Sequence, residues 1–259
     1  MPWATRGLRD GVLTTRYPKR PDGYGHAWRG SVNVKAAQRT SEPWTELCPT
    51  GAISNSISGA PTLDRGKCIM CGRCVAGRPG DFGFDPSPEV AGVSRGALVV
   101  PPTSESEAEV ASARAELARR ARRLRRSLHV RHVDAGSDGS EEWEIAALLG
   151  PVYDVHRLGV YFTASPRHAD LLMVTGAGSE GMAGPLWATY EAMPEPRVVM
   201  AVGTDAISGG IVSPSYATRG GVGDLVPVDV WVPGSPPSPF SILHGILLAV
   251  GLLSERGGP

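Results

Sequence analysis

The sequence predicts two structural units, an α+β unit in residues 1–100 and an α/β unit with a parallel sheet in residues 128–259. The chain has 259 residues with 41% hydrophobic and 20% charged content, which suffices for two modest globular cores. The first unit is rich in Gly, Pro and turns and carries all four cysteines. From residue 128 onward, strand-like and helix-like runs alternate, and this alternation is typical of a mainly parallel sheet.

The strands and helices of the second unit follow from its apolar runs. Short runs predict strands at residues 128–133, 169–175, 197–202 and 225–232. Longer runs predict helices at residues 141–149, 182–193 and 240–254. Since a helix connects consecutive parallel strands, we expect helices to cover both faces of the sheet.

Residues 101–127 predict a basic linker helix between the units. Two prolines precede it, Thr103 or Ser104 can cap it, and acidic residues lie early while arginines lie late, which suits the helix dipole. Between residues 114 and 131 a single acid, Glu116, accompanies eight arginines: Arg114, Arg119, Arg120, Arg122, Arg123, Arg125, Arg126 and Arg131. Such a segment is typical of a solvated helix face, and an acidic partner subunit or an anionic membrane surface is the sharper alternative.

The composition argues against several classes of protein. Lys+Arg and Asp+Glu number 26 each, so no basic excess suggests nucleic acid. Residues 1–17 lack the apolar core of a signal peptide, and the longest apolar run, at residues 240–253, is short for a span of ~20 residues. We therefore expect a cytoplasmic chain without a membrane span. In that reducing compartment, four cysteines indicate metal ligation before disulfides.

The cysteine spacing predicts one [4Fe–4S] cluster in a ferredoxin-like domain. Cys68, Cys71 and Cys74 form a C-x2-C-x2-C run, and Cys48 is followed by proline, like the last cysteine of a ferredoxin motif. In two-cluster ferredoxins the fourth cysteine of each motif ligates the other motif's cluster. The four cysteines thus form one complete ligand set. Four thiolates also suit zinc, but the tight run favours iron–sulfur.

The second cluster of such a module has lost its whole ligand set. Counting from the two motifs, its four positions hold Gln38, Ser41, Trp44 and Arg78. Scattered decay would not leave one complete set and one empty set. The pattern therefore indicates that a single cluster site has been retained.

Several segments of the chain carry a family resemblance. They are residues 129–137 (HVRHVDAGS), 153–160 (YDVHRLGV), 164–170 (ASPRHAD), 190–196 (YEAMPEP), 206–210 (AISGG) and 226–234 (VPVDVWVPG). With them, residues 128–259 resemble the small subunit shared by respiratory complex I, where it is the B-type subunit, and group 4 [NiFe] hydrogenases of the formate-hydrogenlyase branch. Residues 11–18 (GVLTTRYP) are similar to the two-cluster ferredoxin subunit of the same complexes. The chain therefore resembles a fusion of two neighbouring electron-transfer subunits, which implies a flavodoxin-like C-terminal fold.

The chain departs from that family at the proximal cluster. The family holds this cluster beside the large subunit's active site with cysteines in G-S-C-x-x-C-E, G-x-C-A and G-C-P-P. The matching positions here are Asp138, Glu141, Asp205 and Ser235, on which no [4Fe–4S] cluster can form. Each follows a predicted strand, so we expect these oxygen side chains to converge at one edge of the sheet.

Three interpretations of this vacated site stay open. The side chains contact water or a partner, or Asp138, Glu141 and Asp205 bind a hard cation such as Mg²⁺ or Ca²⁺, or the coupled carboxylates handle protons. Residues 176–181 (GAGSEG) also fit the dinucleotide fingerprint G-x-G-x-x-G. The resembled family binds no nucleotide at that loop, which argues against this alternative.

The resemblance implies a non-catalytic electron-transfer subunit of a membrane-associated oxidoreductase, peripheral on the inner face of the cell membrane. Its partners would be a large subunit similar to the hydrogenase catalytic or complex I D-type subunit, and the membrane subunits of the same hetero-oligomer. Because the proximal relay is missing, a structural scaffold whose cluster braces a loop-rich domain is the alternative.

Overall fold

The computed structural model describes residues 3–20, 28–35, 44–56, 59–102, 105–212 and 214–253. Its helices are α1 (Trp3–Asp10), α2 (Arg73–Gly77), α3 (Glu107–Arg120), α4 (Ser140–Ala147), α5 (Glu180–Ala192), α6 (Thr204–Ser208) and α7 (Pro239–Ala249). Its strands are β1 (Ser31–Val34), β2 (Ile53–Asn55), β3 (Pro61–Asp64), β4 (Phe82–Asp85), β5 (Val99–Val100), β6 (Leu128–Asp134), β7 (Val160–Phe162), β8 (Leu171–Thr175), β9 (Val198–Val202) and β10 (Val230–Val232). Short 3-10 helices lie at Trp44–Leu47, Gly96–Leu98, Ala121–Arg126, Val155–Leu158 and Pro166–His168.

Five parallel strands form the central sheet in the order β7-β6-β8-β9-β10. Counted along the chain, this is the order 2-1-3-4-5 of flavodoxin-like folds. The expected parallel sheet is therefore confirmed. The sequence prediction missed β7, because only three residues of this edge strand pair with β6. It also started the last strand too early, since β10 begins at Val230 rather than at residue 225.

Both faces of the sheet are buried. All residues of β8 and β9 are buried, which explains why these strands read as continuous apolar runs. One face packs against α7, whose eleven residues are all buried. The other face packs against α5 and α6 through Leu186, Ala206 and Ile207. No helix in the described part of the chain is long and apolar enough to cross a membrane.

The loops at the carboxyl ends of the parallel strands meet at one side of the sheet, here named the carboxyl edge. The strand order reverses between β6 and β8, and the crevice at such a switch point is where open α/β sheets bind ligands. The loops that follow β6, β8, β9 and β10 all reach this edge. These loops and the first turns of the helices that follow them carry the four positions of the vacated site and the glycine-rich segment 176–181.

The N-terminal residues form two small antiparallel sheets. One pairs β1 with β4, and the other has the order β2-β3-β5. Their common core contains Val32, Ile53, Leu63 and Phe82 together with the side chain of Cys74. A predicted cluster ligand therefore lies inside the hydrophobic core of this unit.

Residues of the N-terminal hundred also enter the core of the larger unit. The ring of Tyr17 packs edge-on against Phe240 with centroids 6.0 Å apart. The backbone of Gly92 exchanges hydrogen bonds of 2.9 and 2.8 Å with Trp231 of β10. The two units thus share core contacts.

The predicted linker helix packs on the sheet layer. It begins at Glu107, with a capping box between Ser106 and Glu109, rather than at Thr103 or Ser104, which lie outside the described residues. Leu117, Ala121 and Leu124 are buried in the same core as α7. The arginines between these apolar positions stay on the solvent side.

Candidate functional site

The four cysteines line one cavity. Cys48 follows the 3-10 helix Trp44–Leu47, Cys68 and Cys71 lie in the turn after β3, and Cys74 lies in α2. All four side chains reach the cavity, and its apolar wall consists of Val32, Leu47, Ile53, Leu63 and Ile69. Cys74 is buried, Cys48 and Cys68 are half-buried, and Cys71 is exposed. Thiols from two separated segments therefore surround a common space.

Left-handed backbone conformations shape the turn that carries the cysteine run. Met70 has φ 51° and Gly72 has φ 75°. A non-glycine residue in this region costs roughly 1 kcal/mol or more. The same turn brings the Met70 backbone N–H within hydrogen-bond reach of the Cys68 thiol. The strain at Met70 thus accompanies a hydrogen bond to a predicted ligand.

The surroundings of the thiols suit a positively charged metal centre. Burial, the largest cause, and the charges of the neighbouring cysteines together raise the pKa of Cys68 to about 12. Burial likewise raises the pKa of Cys74. Backbone N–H groups of Met70 and Val75 lower the pKa values of Cys68 and Cys74 in partial opposition. The N–H of Ala52 donates a 3.2 Å hydrogen bond to Cys48 Sγ. Buried thiols that cluster around N–H donors need metal ions to lose their protons, so this donor set fits an iron–sulfur cluster.

The same four thiols could hold either a single zinc ion or an iron–sulfur cluster. Within the described ranges, no three His, Cys, Asp or Glu side chains are arranged to hold a metal ion. In a zinc site four sulfurs would each lie about 2.3 Å from one ion. Cluster cysteines bind separate irons. Metal and acid-labile sulfide analysis therefore separates the two alternatives.

The positions of the lost second cluster are only partly visible. Gln38 and Ser41 lie outside the described residues, and Trp44 opens the 3-10 helix that leads to Cys48. Arg78 directly follows α2. Its backbone N–H donates to the Cys74 carbonyl, and its side chain pairs with Asp81 at 3.9 Å. The Arg78 guanidinium therefore forms a local ion pair.

The cysteine turn contacts the carboxyl edge directly. Thr204 Oγ1, at the start of α6, donates a 3.0 Å hydrogen bond to the carbonyl of Cys68. A small cavity beside this contact is lined by Arg65, Cys68, Met70 and Gly234, among others. The sequence prediction missed Thr204 and Arg65, because neither belongs to a recognisable motif. Their contacts place the retained cysteine set next to the vacated one.

Three of the four vacated positions form an acidic group at the carboxyl edge. Burial is the largest cause of the raised pKa values of Glu141 and Asp205, and the charge of Asp138 contributes to both. The charge of Asp205 also contributes to the raised pKa of Glu141. The side chain of Glu141 packs over Gly203, since a Cβ there would lie 2.4 Å from Glu141 Oε1. Ser235 is half-buried in the loop after β10. The expected convergence is seen for the carboxylates, which do not form a metal-ion group among the described residues.

Glu141 is the most buried of these carboxyl groups, with 1% of its surface exposed. Burial is the largest cause of its pKa of about 7, followed among the raising effects by Asp205 and Asp138. The Ser140 hydroxyl donates to it at 3.1 Å and partly opposes the shift. Above neutral pH the folded chain therefore holds a buried negative charge.

Replacing Glu141 by Gln is expected to stabilise the isolated chain at high pH. Because the pKa of Glu141 is higher in the folded state than its ordinary 4.5, the folded chain binds the extra proton, and stability falls as pH rises from that value through about 7. Glu141→Gln should raise the unfolding free energy by about 1–3 kcal/mol at about pH 8 and by little at about pH 5. Thermal melts at both pH values measure this.

The control for that experiment is Glu191→Gln, which neutralises an exposed glutamate on α5. This variant should leave both melts unchanged. An equal gain from Glu141→Gln at the two pH values would mean that packing, rather than ionisation, is responsible.

The glycine-rich loop after β8 packs against protein backbone. A Cβ on Gly176 would lie 2.5 Å from the Gly136 carbonyl carbon, and one on Gly178 would lie 2.3 Å from the Gly221 oxygen. These glycines permit close loop packing at the switch point. Their contacts account for the fingerprint-like spacing and give the nucleotide alternative no support.

A polar network that sequence analysis did not identify lies beneath the acidic group. The hydroxyls of Thr175 and Ser137 both donate to Glu142. His132 Nε2 lies 3.0 Å from Thr175 Oγ1 and 3.4 Å from Glu142. Burial is the largest cause of a lowered pKa at His132. The network fixes the start of α4 against β6 and β8.

A comparison with known protein families finds a match in the C-terminal part of the chain. Residues 139–249 match the family described as NADH ubiquinone oxidoreductase, 20 Kd subunit. The match begins in the loop after β6 and ends with α7. It therefore covers Glu141, Asp205 and Ser235, three of the four vacated positions.

Three individual relatives each match between 44% and 62% of the chain. Formate hydrogenlyase subunit 7 of Escherichia coli (strain K12) is 37% identical over 162 residues, 62% of each chain. Probable membrane-bound hydrogenase subunit mbhJ of Pyrococcus furiosus is 42% identical over 50% of this chain and 78% of that relative. The B-type subunit of the NADH-quinone oxidoreductase of Desulfovibrio desulfuricans is 48% identical over 44% of this chain and 61% of that relative. The chain thus spans less than two thirds of the first and third relatives.

Proposed function

Since this chain belongs to the NADH ubiquinone oxidoreductase 20 kDa subunit family, we propose that it is an electron-transfer subunit of a membrane-associated oxidoreductase. The complex would resemble complex I or a group 4 hydrogenase. The single observation that carries the electron-transfer part is the cavity shared by Cys48, Cys68, Cys71 and Cys74.

These four cysteines would hold one [4Fe–4S] cluster, which supplies one-electron transfer when bound. The protein contributes the surroundings of the sulfurs. N–H donors from Ala52 and Met70 stabilise negative charge on Cys48 and Cys68. The buried guanidinium of Arg65 lies within electrostatic range of Cys68. Hydrogen bonds and nearby charge of this kind tune a cluster's potential.

The position of the cysteine turn supports a path toward the carboxyl edge. Thr204 holds the Cys68 backbone against α6, beside the loop where the resembled family carries its proximal cluster. A large subunit docked at that edge would therefore approach the retained cluster site. The partners of this chain in a hetero-oligomer would be this large subunit and the membrane subunits of the complex.

The experiment that tests the proposal is a redox titration of the complex, copurified anaerobically through a tag on the full chain. A cluster that reduces reversibly and is re-oxidised during turnover supports electron transfer. A cluster that stays oxidised throughout turnover supports the alternative, a scaffold in which the ligand set braces the small N-terminal core.

The arginine-rich segment offers a means of peripheral attachment to the membrane. Arg114, Arg122, Arg123 and Arg126 are exposed, and none of them forms a salt bridge with another described residue. The segment precedes β6, so it lies at the amino edge of the sheet, away from the acidic group. We propose that this segment faces the anionic inner leaflet.

Substituting Arg122, Arg123 and Arg126 by Gln should weaken vesicle binding at least about tenfold, since each arginine near an anionic surface contributes about 1 kcal/mol. Co-sedimentation with phosphatidylcholine vesicles, with and without phosphatidylglycerol, measures this. Arg219→Gln at the carboxyl edge is the control and should bind like the unmodified chain. Equal binding to both kinds of vesicle would contradict the membrane assignment.

A further inference from the structure

The carboxyl edge carries large apolar side chains that are exposed to solvent. Trp143 is 79% exposed, and Tyr216 is 99% exposed. Ile211 and Val212 are 68% and 56% exposed. These four residues are named the carboxyl-edge patch. Exposed aromatic and aliphatic residues grouped in this way are typical of protein–protein interfaces.

Three residues of the patch adjoin the acidic group along the chain. Trp143 lies in the first turn of α4, shortly after Asp138 and Glu141. Ile211 and Val212 follow Gly210, at which a Cβ would lie within 1.9 Å of Asp205 Oδ1. Trp143, Ile211 and Val212 therefore lie close along the chain to the acidic residues of the carboxyl edge.

The loop that carries Tyr216 is held by specific contacts. The Glu180 backbone N–H donates to the Ala217 carbonyl at 2.9 Å, and Arg219 forms an ion pair with the Glu180 side chain. The Arg219 backbone also donates to Gly178. Because this segment is tied to the start of α5 at several points, Tyr216 is presented outward on a fixed support.

The acidic group at the centre lacks a cationic partner. Among the described residues, no Lys, Arg or His side chain forms a salt bridge with Asp138, Glu141 or Asp205. Glu141 is almost fully buried. Negative charge in such a position is costly without a compensating positive charge.

We propose that the carboxyl-edge patch docks the large subunit and that a Lys or Arg side chain of that subunit enters between Asp138, Glu141 and Asp205. This inference rests on the proposed function and adds the partner's chemistry to it. The cationic side chain occupies the place where the resembled family holds its proximal cluster. We propose a cationic occupant because of charge complementarity: the centre of this docking surface is acidic and its rim is apolar.

The two parts of the surface have different roles. The apolar rim excludes water, which strengthens the attraction between the enclosed charges. A partner without a cation would leave the carboxylates buried and unpaired, so the acidic centre selects against wrong partners.

The test compares neutral variants in the copurified complex. The full chain with Asp138→Asn, Glu141→Gln and Asp205→Asn is immobilised through its tag, and the large subunit retained is measured as salt concentration rises. We expect the neutral variant to release the large subunit at lower salt, with at least about tenfold weaker affinity. The matched control, Glu107→Gln with Glu191→Gln, neutralises exposed carboxylates on α3 and α5 and should behave like the unmodified chain.

A second arm locates the partner. A photo-crosslinking amino acid at Tyr216 should form cross-links to the large subunit, near a Lys or Arg. Charge reversal by Asp205→Lys should abolish binding, and replacing that partner cation by Glu should restore it. A melt of Glu141→Gln, which is expected to be at least as stable as the unmodified chain, shows that weaker binding is not misfolding.

The outcomes separate the inference from the proposed function. If the unmodified chain retains no large subunit at any salt concentration, the proposed function fails. If it does retain one and the neutral variant binds equally well, only the present inference is overturned. Cross-links from Tyr216 to a different subunit would likewise overturn it.

Discussion

Removing two of the predicted ligands is expected to abolish the proposed iron–sulfur cluster. In anaerobically purified chain, Cys68→Ala with Cys74→Ala should reduce iron from about four atoms per chain to near zero, with parallel loss of acid-labile sulfide. The two remaining thiols cannot hold a cubane. Cys74 is also part of the small hydrophobic core, so the N-terminal unit should lose order as well. Iron, sulfide and visible absorbance measure the first effect, and hydrogen exchange measures the second.

Ser41→Ala provides the matched control, since residue 41 belongs to the ligand set of the second, lost cluster. This variant should retain full iron and sulfide. Zinc without sulfide in the unmodified chain would overturn the cluster assignment.

Gly176→Ala is expected to be the most destabilising single substitution at the switch point. Gly176 has φ +83°, and a Cβ would lie 2.5 Å from the backbone of Gly136 and Ser137. The left-handed conformation and the backbone contact should together cost about 3–5 kcal/mol, because neither partner is a flexible side chain. Chemical denaturation at constant pH measures the change in unfolding free energy.

The control is Gly181→Ala in the same glycine-rich segment. No atom lies within 4 Å of a Cβ at Gly181, and the residue is helical. This substitution should change the stability by less than about 1 kcal/mol, and alanine's helix propensity favours a small gain. Similar losses for the two variants would mean that the segment has a role other than loop packing.

The sequence was most informative where periodicity was strong. The buried strands β8 and β9 and the long helices α5 and α7 are close to their predicted positions, because continuous apolar runs specify elements buried in a core. Edge strand β7 and the one-turn helix α6 were missed, since so few residues carry no periodic signal. The start of α3 depended on which of several polar residues capped it, and Ser106 is the one with a partner three residues later.

The sequence likewise predicted some features of the candidate site and not others. Motif spacing predicted that Cys48 would join the cysteine run, and strand order predicted that Asp138 and Asp205 would meet. Contacts between the two units leave no local pattern in the sequence. The hydrogen bond from Thr204 to the Cys68 carbonyl could therefore not be predicted from the sequence. The burial of Glu141 depends on close approach to Gly203, which spacing along the chain does not encode.

The shared core determines how the protein can be divided. Tyr17 packs on Phe240, and Gly92 extends the sheet beside Trp231, so cutting the chain near residue 100 would expose apolar surface on α7 and leave the edge of β10 bare. An excised C-terminal fragment would then tend to aggregate through that edge. Shorter versions for crystallisation should therefore trim the termini and keep both halves covalently joined.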